Sequence, residues 1–120
     1  MMKKRILCVE EHEDTCGLIS KILEKYEIKS AKSKSEALIL ATRDKFNLYL
    51  LNYHLPDGDG LELSLLIKNL DPHTPILFVV GTNYINEQQA IMVGAEGLLK
   101  IDSHSFLADL KEKVSKLLDD

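Results

Sequence analysis

The fold of this 120-residue chain is decided by the stretch LYLLNYHLPDGDG at residues 48–60. Four consecutive apolar residues, 48–51, are typical of a strand covered on both faces, as in a parallel sheet. Pro56 and the two glycines that follow predict a tight turn. Because an amphipathic pattern begins directly afterwards at Leu61, the stretch predicts a buried strand, a structured loop and then a helix.

The same order of strand and then helix recurs on both sides of this stretch. Apolar runs of strand length lie at residues 6–9, 28–31, 48–51, 76–80 and 98–99. Apolar residues at helical spacing lie within residues 15–26, 35–44, 61–70, 85–93 and 104–118. Asp14 or Thr15 is expected to cap the first helix, Ser35 the second, and Gly94 to end the fourth. Strict alternation of this kind predicts an α/β fold, a doubly wound parallel sheet, in a single domain spanning residues 1–120.

Composition limits the possible functions. The chain is 45% apolar and 28% charged, with a formal net charge of −4, so charge gives no reason for direct nucleic-acid binding. No apolar run has the length of a membrane span or of a signal peptide. Cys8 and Cys16 are too few for a disulfide scaffold and are expected to be reduced, buried thiols. A cytoplasmic location without a membrane partner is therefore expected.

Ligands of doubly wound sheets bind at the carboxyl ends of the strands, and the loops there are unusually acidic. The first loop, Glu10–Asp14, has four acids in five residues. Mg²⁺ prefers oxygen ligands and is often bound by one or two carboxylates. The alternative interpretation is a solvated turn before a helix N-terminus, which also favours acids.

Taken in order, these features resemble the receiver domain of bacterial two-component response regulators. The resemblance rests on ILCVEE at 6–11, LLNYHLPDGDGLEL at 50–63, DPHTPI at 71–76 and GAEGLLK at 94–100. It implies a flavodoxin-like (βα)5 fold with strand order 2-1-3-4-5 and a role in phosphorelay signalling. In that family an aspartate after the third strand takes a phosphoryl group from a histidine kinase, assisted by Mg²⁺, a lysine and a Ser or Thr hydroxyl.

Three positions depart from this pattern. Asn52 stands at the phosphoacceptor position, Val80 at the hydroxyl position and Leu98 at the aromatic switch position. Thr82 could replace the hydroxyl only if the fourth strand shifted by two residues, which the Pro75-Ile76-Leu77 register does not favour. The resemblance therefore implies a degenerate receiver, or pseudo-receiver, with no enzymatic activity.

The remaining site positions are altered but keep some of their chemistry. The acidic pair is Glu10 and Glu11, which together with Asn52 and the backbone carbonyl of His54 predict a weak or vestigial Mg²⁺ site and no other cofactor. Lys100 comes one residue earlier than the family lysine, so either Lys100 or Ile101 occupies that position.

Without a switch, the function is expected to lie in protein contacts made by the face of the fourth helix, fifth strand and fifth helix. Candidate surface residues are Asn86, Glu87, Gln88, Gln89, Asp109, Lys111, Glu112, Lys113 and Lys116, with Tyr84, Ile85 and Met92 as an apolar centre or as core. The expected partners are a histidine kinase, a covalently linked output domain or a second copy in a homodimer.

Three alternatives remain open. The polar residues could form an ordinary solvated helix face. The chain could be a working receiver with altered chemistry and Mg²⁺, for instance with Asp57 or Asp59 as a substitute acceptor. It could also be a flavodoxin-like ligand binder, although no Gly-rich or Ser/Thr-rich phosphate loop follows the first strand.

Overall fold

A computed structural model describes residues 3–81 and 84–119 of the chain. Its sheet consists of β1 (Arg5–Val9), β2 (Glu27–Ala31), β3 (Leu48–Leu51), β6 (Ile76–Val80) and β7 (Leu98–Lys100). These five strands are parallel and lie in the order β2-β1-β3-β6-β7. Two short strands, β4 (His54–Leu55) and β5 (Gly58–Asp59), form an antiparallel hairpin inside the predicted loop. With these two set aside, the order is 2-1-3-4-5, which confirms the predicted flavodoxin-like fold.

In the described part of the chain, four helices connect the strands of the sheet, a fifth follows the last strand, and all five cover the sheet. They are α1 (Glu13–Ile22), α2 (Lys34–Arg43), α3 (Gly60–Leu70), α4 (Glu87–Met92) and α5 (Phe106–Leu118). Across residues 3–81 and 84–119, none of these helices is long and apolar enough to cross a bilayer.

The core has two apolar layers, one on each face of the sheet. Leu7, Tyr49 and Phe78 point into the layer completed by α2, α3 and α4. Alternate residues such as Ile6 and Leu50 point into the layer completed by α1 and α5. β3 and β6 are buried along their whole length, as the continuous apolar runs predicted.

The first two helices begin earlier than predicted. α1 follows His12, whose side chain makes no capping hydrogen bond, and it ends at Ile22 instead of residue 26. The apolar spacing misled the prediction because Tyr26 is buried but lies in the turn leading to β2, where its amide donates to Leu23. α2 is capped by Ser33, whose side chain accepts from the amide of Glu36, and not by Ser35.

The last two helices begin two residues later than predicted. Asn86 caps α4 because its side chain accepts from the amide of Gln89, while the Gln89 side chain accepts from the amide of Asn86. Gly94 follows the end of α4 with a φ of 94°, a left-handed conformation that favours glycine, so the predicted stop is confirmed. α5 begins at Phe106 after a turn in which the Phe106 amide donates to Ser103.

Candidate functional site

A cavity of about 210 Å³ lies at the carboxyl ends of β1, β3 and β6. Its lining residues are Glu10, His12, Thr15, Asn52, His54, Gly81 and Ile101. The structure thus brings together Glu10, Asn52 and His54 from the predicted site. Glu11 is half-buried and lies outside this lining, and Thr82 lies outside the described residues.

Asn52 is fixed by its backbone and by the start of α3. Its amide donates to the Val9 carbonyl at 3.1 Å, and its side-chain Oδ1 accepts from the Tyr53 amide at 2.8 Å. A Cβ added to Gly60 would lie 2.2 Å from the Asn52 carbonyl oxygen and 2.9 Å from the Phe78 ring. Only glycine at residue 60 therefore lets α3 begin directly against Asn52.

Glu10 points into the cavity but already has hydrogen-bond donors. Its side chain is 5% exposed, and its Oε2 accepts from the His12 amide at 3.0 Å. The same oxygen lies 3.0 Å from Nδ1 of the His12 ring. This hydrogen bond and the charge of Glu10 raise the pKa of His12, so the protonated imidazole is favoured beside the carboxylate.

The hydrogen bonds accepted by Glu10 and Asn52 affect the predicted magnesium site, because they involve the oxygens that would bind the cation. A divalent cation would need oxygens of Glu10, Glu11 and Asn52 and the backbone carbonyl of His54. Oε2 of Glu10 is paired with His12, and Oδ1 of Asn52 accepts from Tyr53. Over residues 3–81 and 84–119, no group of three His, Cys, Asp or Glu side chains has an arrangement that could hold a metal ion. The donor set as placed fits Mg²⁺ poorly, because a cation would share these oxygens with hydrogen-bond donors that already contact them.

Of the two residues that could occupy the lysine position, Ile101 lies beside Asn52. Lys100 pairs with Val80 in the β6–β7 register, and the amide of Ile101 donates to the Val80 carbonyl at 2.9 Å. Ile101 directly follows β7 and lines the cavity, whereas Lys100 is not among the lining residues. It lines a second cavity of about 370 Å³, together with Asn86, Glu87, Leu98, Leu99, Ser103, Phe106 and Asp109.

The two other departures from the family pattern are apolar side chains that lie in different surroundings. Val80 is 1% exposed at the end of β6, and its side chain has no group that donates a hydrogen bond. Leu98 is half-buried at the start of β7, in the second cavity.

The hairpin of β4 and β5 is anchored to α2 by Asp57. Its Oδ1 accepts from the Lys34 amide at 2.7 Å, and its Oδ2 accepts from the Ser35 amide at 3.0 Å and from the Ser35 hydroxyl at 2.7 Å. These hydrogen bonds, the Ser35 hydroxyl first, lower the pKa of Asp57 to about 2. Asp59 caps α3, since its Oδ1 accepts from the Glu62 amide at 2.9 Å. Both carboxylates considered as substitute acceptors therefore accept hydrogen bonds from amides in the first turn of a helix.

Three aromatic rings form a cluster at the rim of the cavity. The Tyr84 ring lies 4.4 Å from the His54 ring and 6.1 Å from the Tyr53 ring, between centroids. Tyr53 and His54 are 5.1 Å apart. Tyr84 is 61% exposed. Sequence reasoning missed this cluster because Tyr84 is distant in sequence from the other two rings, and no local pattern indicates their contact.

The predicted partner face is exposed at most of its polar positions. Glu87 and Lys111 are exposed and Lys113 is half-buried. Asn86 and Gln89 are also exposed, but their side chains form the capping box of α4. Of the three apolar candidates, Ile85 is buried, whereas Tyr84 and Met92 are exposed.

Comparison with solved structures shows the same fold in known proteins. A CheY-like response regulator receiver domain protein from Methanospirillum hungatei superimposes with a TM-score of 0.87 at 30% identity, covering 98% of this chain and 94% of that one. A two-component response regulator from Clostridium difficile gives a TM-score of 0.86 at 28% identity, covering 98% and 97%.

Curated proteins show similarity in sequence as well. The response regulator protein PilR of Pseudomonas aeruginosa is 32% identical over 98 residues, which are 79% of this chain and 22% of PilR. The response regulator receiver protein CpdR of Brucella abortus is 31% identical over 80 residues, 65% of this chain and 67% of CpdR. The chain thus spans only about a fifth of the length of PilR.

A family model described as "Response regulator receiver domain" matches residues 6–109 of the chain. The matched region contains the five-stranded sheet except Arg5, and the cavity with Glu10, Asn52 and Ile101. The chain therefore belongs to the family of response regulator receiver domains, whose members act in two-component signalling.

Proposed function

We propose that this receiver domain acts in signal transduction without accepting a phosphoryl group, through contacts with other proteins. The observation that supports this most directly is the presence of Asn52 at the carboxyl end of β3, inside the cavity where receiver chemistry would require a carboxylate.

The chemistry explains why this one residue matters. An acyl phosphate forms when a carboxylate oxygen attacks phosphorus, and a neutral carboxamide oxygen is a poor nucleophile for this reaction. Asn52 Oδ1 is moreover held by the Tyr53 amide at 2.8 Å. The loss of the nucleophile removes the reaction and does not merely slow it.

The side chains at the positions that would assist phosphoryl transfer also lack the required groups. Ile101 lies in the cavity where an ammonium group would pair with the phosphoryl oxygens, and Val80 offers no hydroxyl. Electrostatic stabilisation of the developing charge is usually the largest single contribution to such catalysis. We infer that the phosphorylation switch has been lost as a unit, and that Mg²⁺ binds weakly if at all.

A domain that does not switch must signal with a surface held in one state. The face formed by α4, β7 and α5 is proposed for this role because Glu87 and Lys111 are exposed there and Met92 is 76% exposed. Ile91 beside it is also exposed, and partner surfaces commonly have an apolar centre with a polar rim. The proposed partners are a histidine kinase, an output domain linked to the chain, or a second copy.

The proposal is tested by incubating the chain with acetyl phosphate and Mg²⁺ and measuring its intact mass. We expect the unmodified mass, while a receiver with an intact aspartate, treated in parallel, gains one phosphoryl group. A labile phosphoryl adduct on this chain would overturn the proposal and would favour a working receiver with altered chemistry.

A further inference from the structure

The only two cysteines of the chain meet between β1 and α1. Cys8 is in β1 and is 1% exposed, whereas Cys16 lies in α1 and is half-buried. Their Sγ atoms are 4.0 Å apart. The Sγ of Cys16 also lies 3.6 Å from the backbone oxygen of Glu10, so it is placed beside the start of the acidic loop.

We propose that Cys8 and Cys16 form an oxidation site, at which a peroxide converts the two thiols into a reversible intramolecular disulfide. The sulfurs must approach by about 2 Å to reach the disulfide length of about 2.05 Å. Cys8 is fixed by the apolar layer between the sheet and α1, while Cys16 lies at the edge of that layer. A rotation of the half-buried Cys16 side chain is the smaller movement and supplies the approach.

The reaction balances with one peroxide molecule. The sulfur of the half-buried Cys16 attacks one peroxide oxygen, the O–O bond breaks, and one water leaves as Cys16 is converted to a sulfenic acid. The Cys8 sulfur then attacks the Cys16 sulfur, the S–O bond breaks, and a second water leaves with the Cys8 proton. Two thiols are oxidised to one disulfide while the peroxide is reduced to two waters, and a dithiol reductant reverses the change.

The crosslink would act directly on the cavity. The ring closed by the disulfide contains residues 9–15, which include Glu10, His12 and Thr15 from the cavity lining. It ties the first turn of α1 to β1 and so restrains the acidic loop between them. An oxidant would thereby alter the same end of the sheet that phosphoryl chemistry uses in other receivers.

The disulfide can be detected within one peptide. Trypsin cuts after Arg5 and after Lys21, so residues 6–21 form a peptide with both cysteines. The native chain is treated with hydrogen peroxide, denatured, alkylated with N-ethylmaleimide and digested. We expect this peptide to lose the mass of two hydrogens and to take no alkylating group, and to take two such groups when dithiothreitol precedes alkylation.

Two variants identify the order of the steps. In Cys8→Ser, Cys16 is expected to be trapped by dimedone as a sulfenic acid, whereas in Cys16→Ser, Cys8 is expected to stay reduced. Three outcomes would overturn the proposal: two alkylated cysteines after peroxide, disulfide-linked dimers, or sulfinic and sulfonic acids at Cys16 in the unaltered chain.

Amide hydrogen exchange tests the effect on the loop. We expect amides of residues 10–15 to exchange more slowly in the oxidised chain than in the reduced chain, with no difference in peroxide-treated Cys16→Ser. Equal exchange in the oxidised and reduced chains would overturn the claimed restraint even if the disulfide forms.

Discussion

The scaffold around Asn52 and the chemical groups inside the cavity differ in how closely they follow the receiver family. The scaffold keeps its demanding features, such as Gly60, where an added Cβ would lie 2.2 Å from the Asn52 carbonyl oxygen. The cavity instead contains an amide, an isoleucine and a carboxylate already paired with His12. Under the proposed function, the residues that build the cavity suit a receiver, while those inside it lack the groups that would react.

The packing of the sheet and α3 rests on close backbone approach and apolar burial, whereas receiver chemistry rests on a few polar groups in the cavity. Backbone approach at Gly60 and burial of β3 and β6 determine whether the sheet and α3 can assemble. Asn52 and Ile101 instead line the cavity, whereas Val80 is buried at the end of β6 and belongs to the packed core. We therefore expect substitutions in the scaffold mainly to change the stability of the fold, and substitutions inside the cavity mainly to change its reactivity.

The largest expected effect is on the scaffold. Gly60→Ala places a methyl group against the Asn52 carbonyl and the Phe78 ring, so α3 must shift, and we expect the free energy of unfolding to fall by about 3 kcal/mol. Urea denaturation measures this loss. The matched control is Gly17→Ala in α1, where nothing lies within 4 Å of the added Cβ, and we expect it to stabilise by about 0.5–1 kcal/mol. Equal stability of Gly60→Ala and the unaltered chain would refute the distinction between the two regions.

The second-largest expected effect is on phosphorylation, when reactive groups are introduced into the cavity by substitution. Asn52→Asp alone is expected to accept a phosphoryl group slowly from acetyl phosphate, because the nucleophile is restored without its helpers. Adding Ile101→Lys and Val80→Thr is expected to raise the rate about 100-fold, as each supplies a group that stabilises the transferred phosphoryl. Intact mass against time gives the rates. Ile101→Lys and Val80→Thr without Asn52→Asp serve as the control, and phosphorylation there would disprove the assignment of residue 52.

A smaller, pH-dependent effect is expected at the hairpin. The pKa of Asp57 is lowered to about 2 from its ordinary 3.8, so its ionised form stabilises the fold above about pH 4. This contribution is lost as the pH falls through about 2, where the folded carboxyl takes up its proton. The Tm difference between the unaltered chain and Asp57→Ala is thus expected to be widest at neutral pH and to narrow between these two values.

The exposed residue Asp102 provides the control for the hairpin. Asp102→Ala should show no comparable pH-dependent difference in Tm. A Tm difference between the unaltered chain and Asp57→Ala that stays constant from neutral pH down to about pH 2 would contradict the role assigned to the Ser35 and Lys34 contacts.

The smallest expected effect is that of magnesium. Because oxygens of Glu10 and Asn52 already accept hydrogen bonds, about 10 mM Mg²⁺ is expected to change the Tm by less than about 1 °C. Asn52→Asp should respond more strongly, since it adds a negative charge. A rise of several degrees in the unaltered chain would show that its cavity has kept a functional metal site.

Much of the fold could be predicted because it depends on local pattern. The apolar runs of β3 and β6 are continuous, and both strands are buried throughout. Helix ends were less predictable because they depend on contacts distant in sequence. Ser35 looked like a cap of α2, but its hydroxyl and amide both donate to Asp57.

The candidate site was predictable in position and only partly in detail. The rule that ligands bind at the carboxyl ends of parallel strands places Glu10 and Asn52 together, and both line one cavity. The choice between Lys100 and Ile101 could not be made from spacing, because the pairing of β7 with β6 determines which side chain points inward. The close approach of Cys8 and Cys16 likewise depends on how α1 packs against β1.

The aromatic cluster at the rim of the cavity provides an intrinsic spectroscopic probe of this end of the sheet. The sequence has four tyrosines and no tryptophan, so its fluorescence comes from tyrosine alone. Two of the four, Tyr53 and Tyr84, lie against His54 beside Asn52. Near-ultraviolet circular dichroism and tyrosine emission are therefore expected to respond to changes at the rim of the cavity, on top of a contribution from the buried Tyr26 and Tyr49.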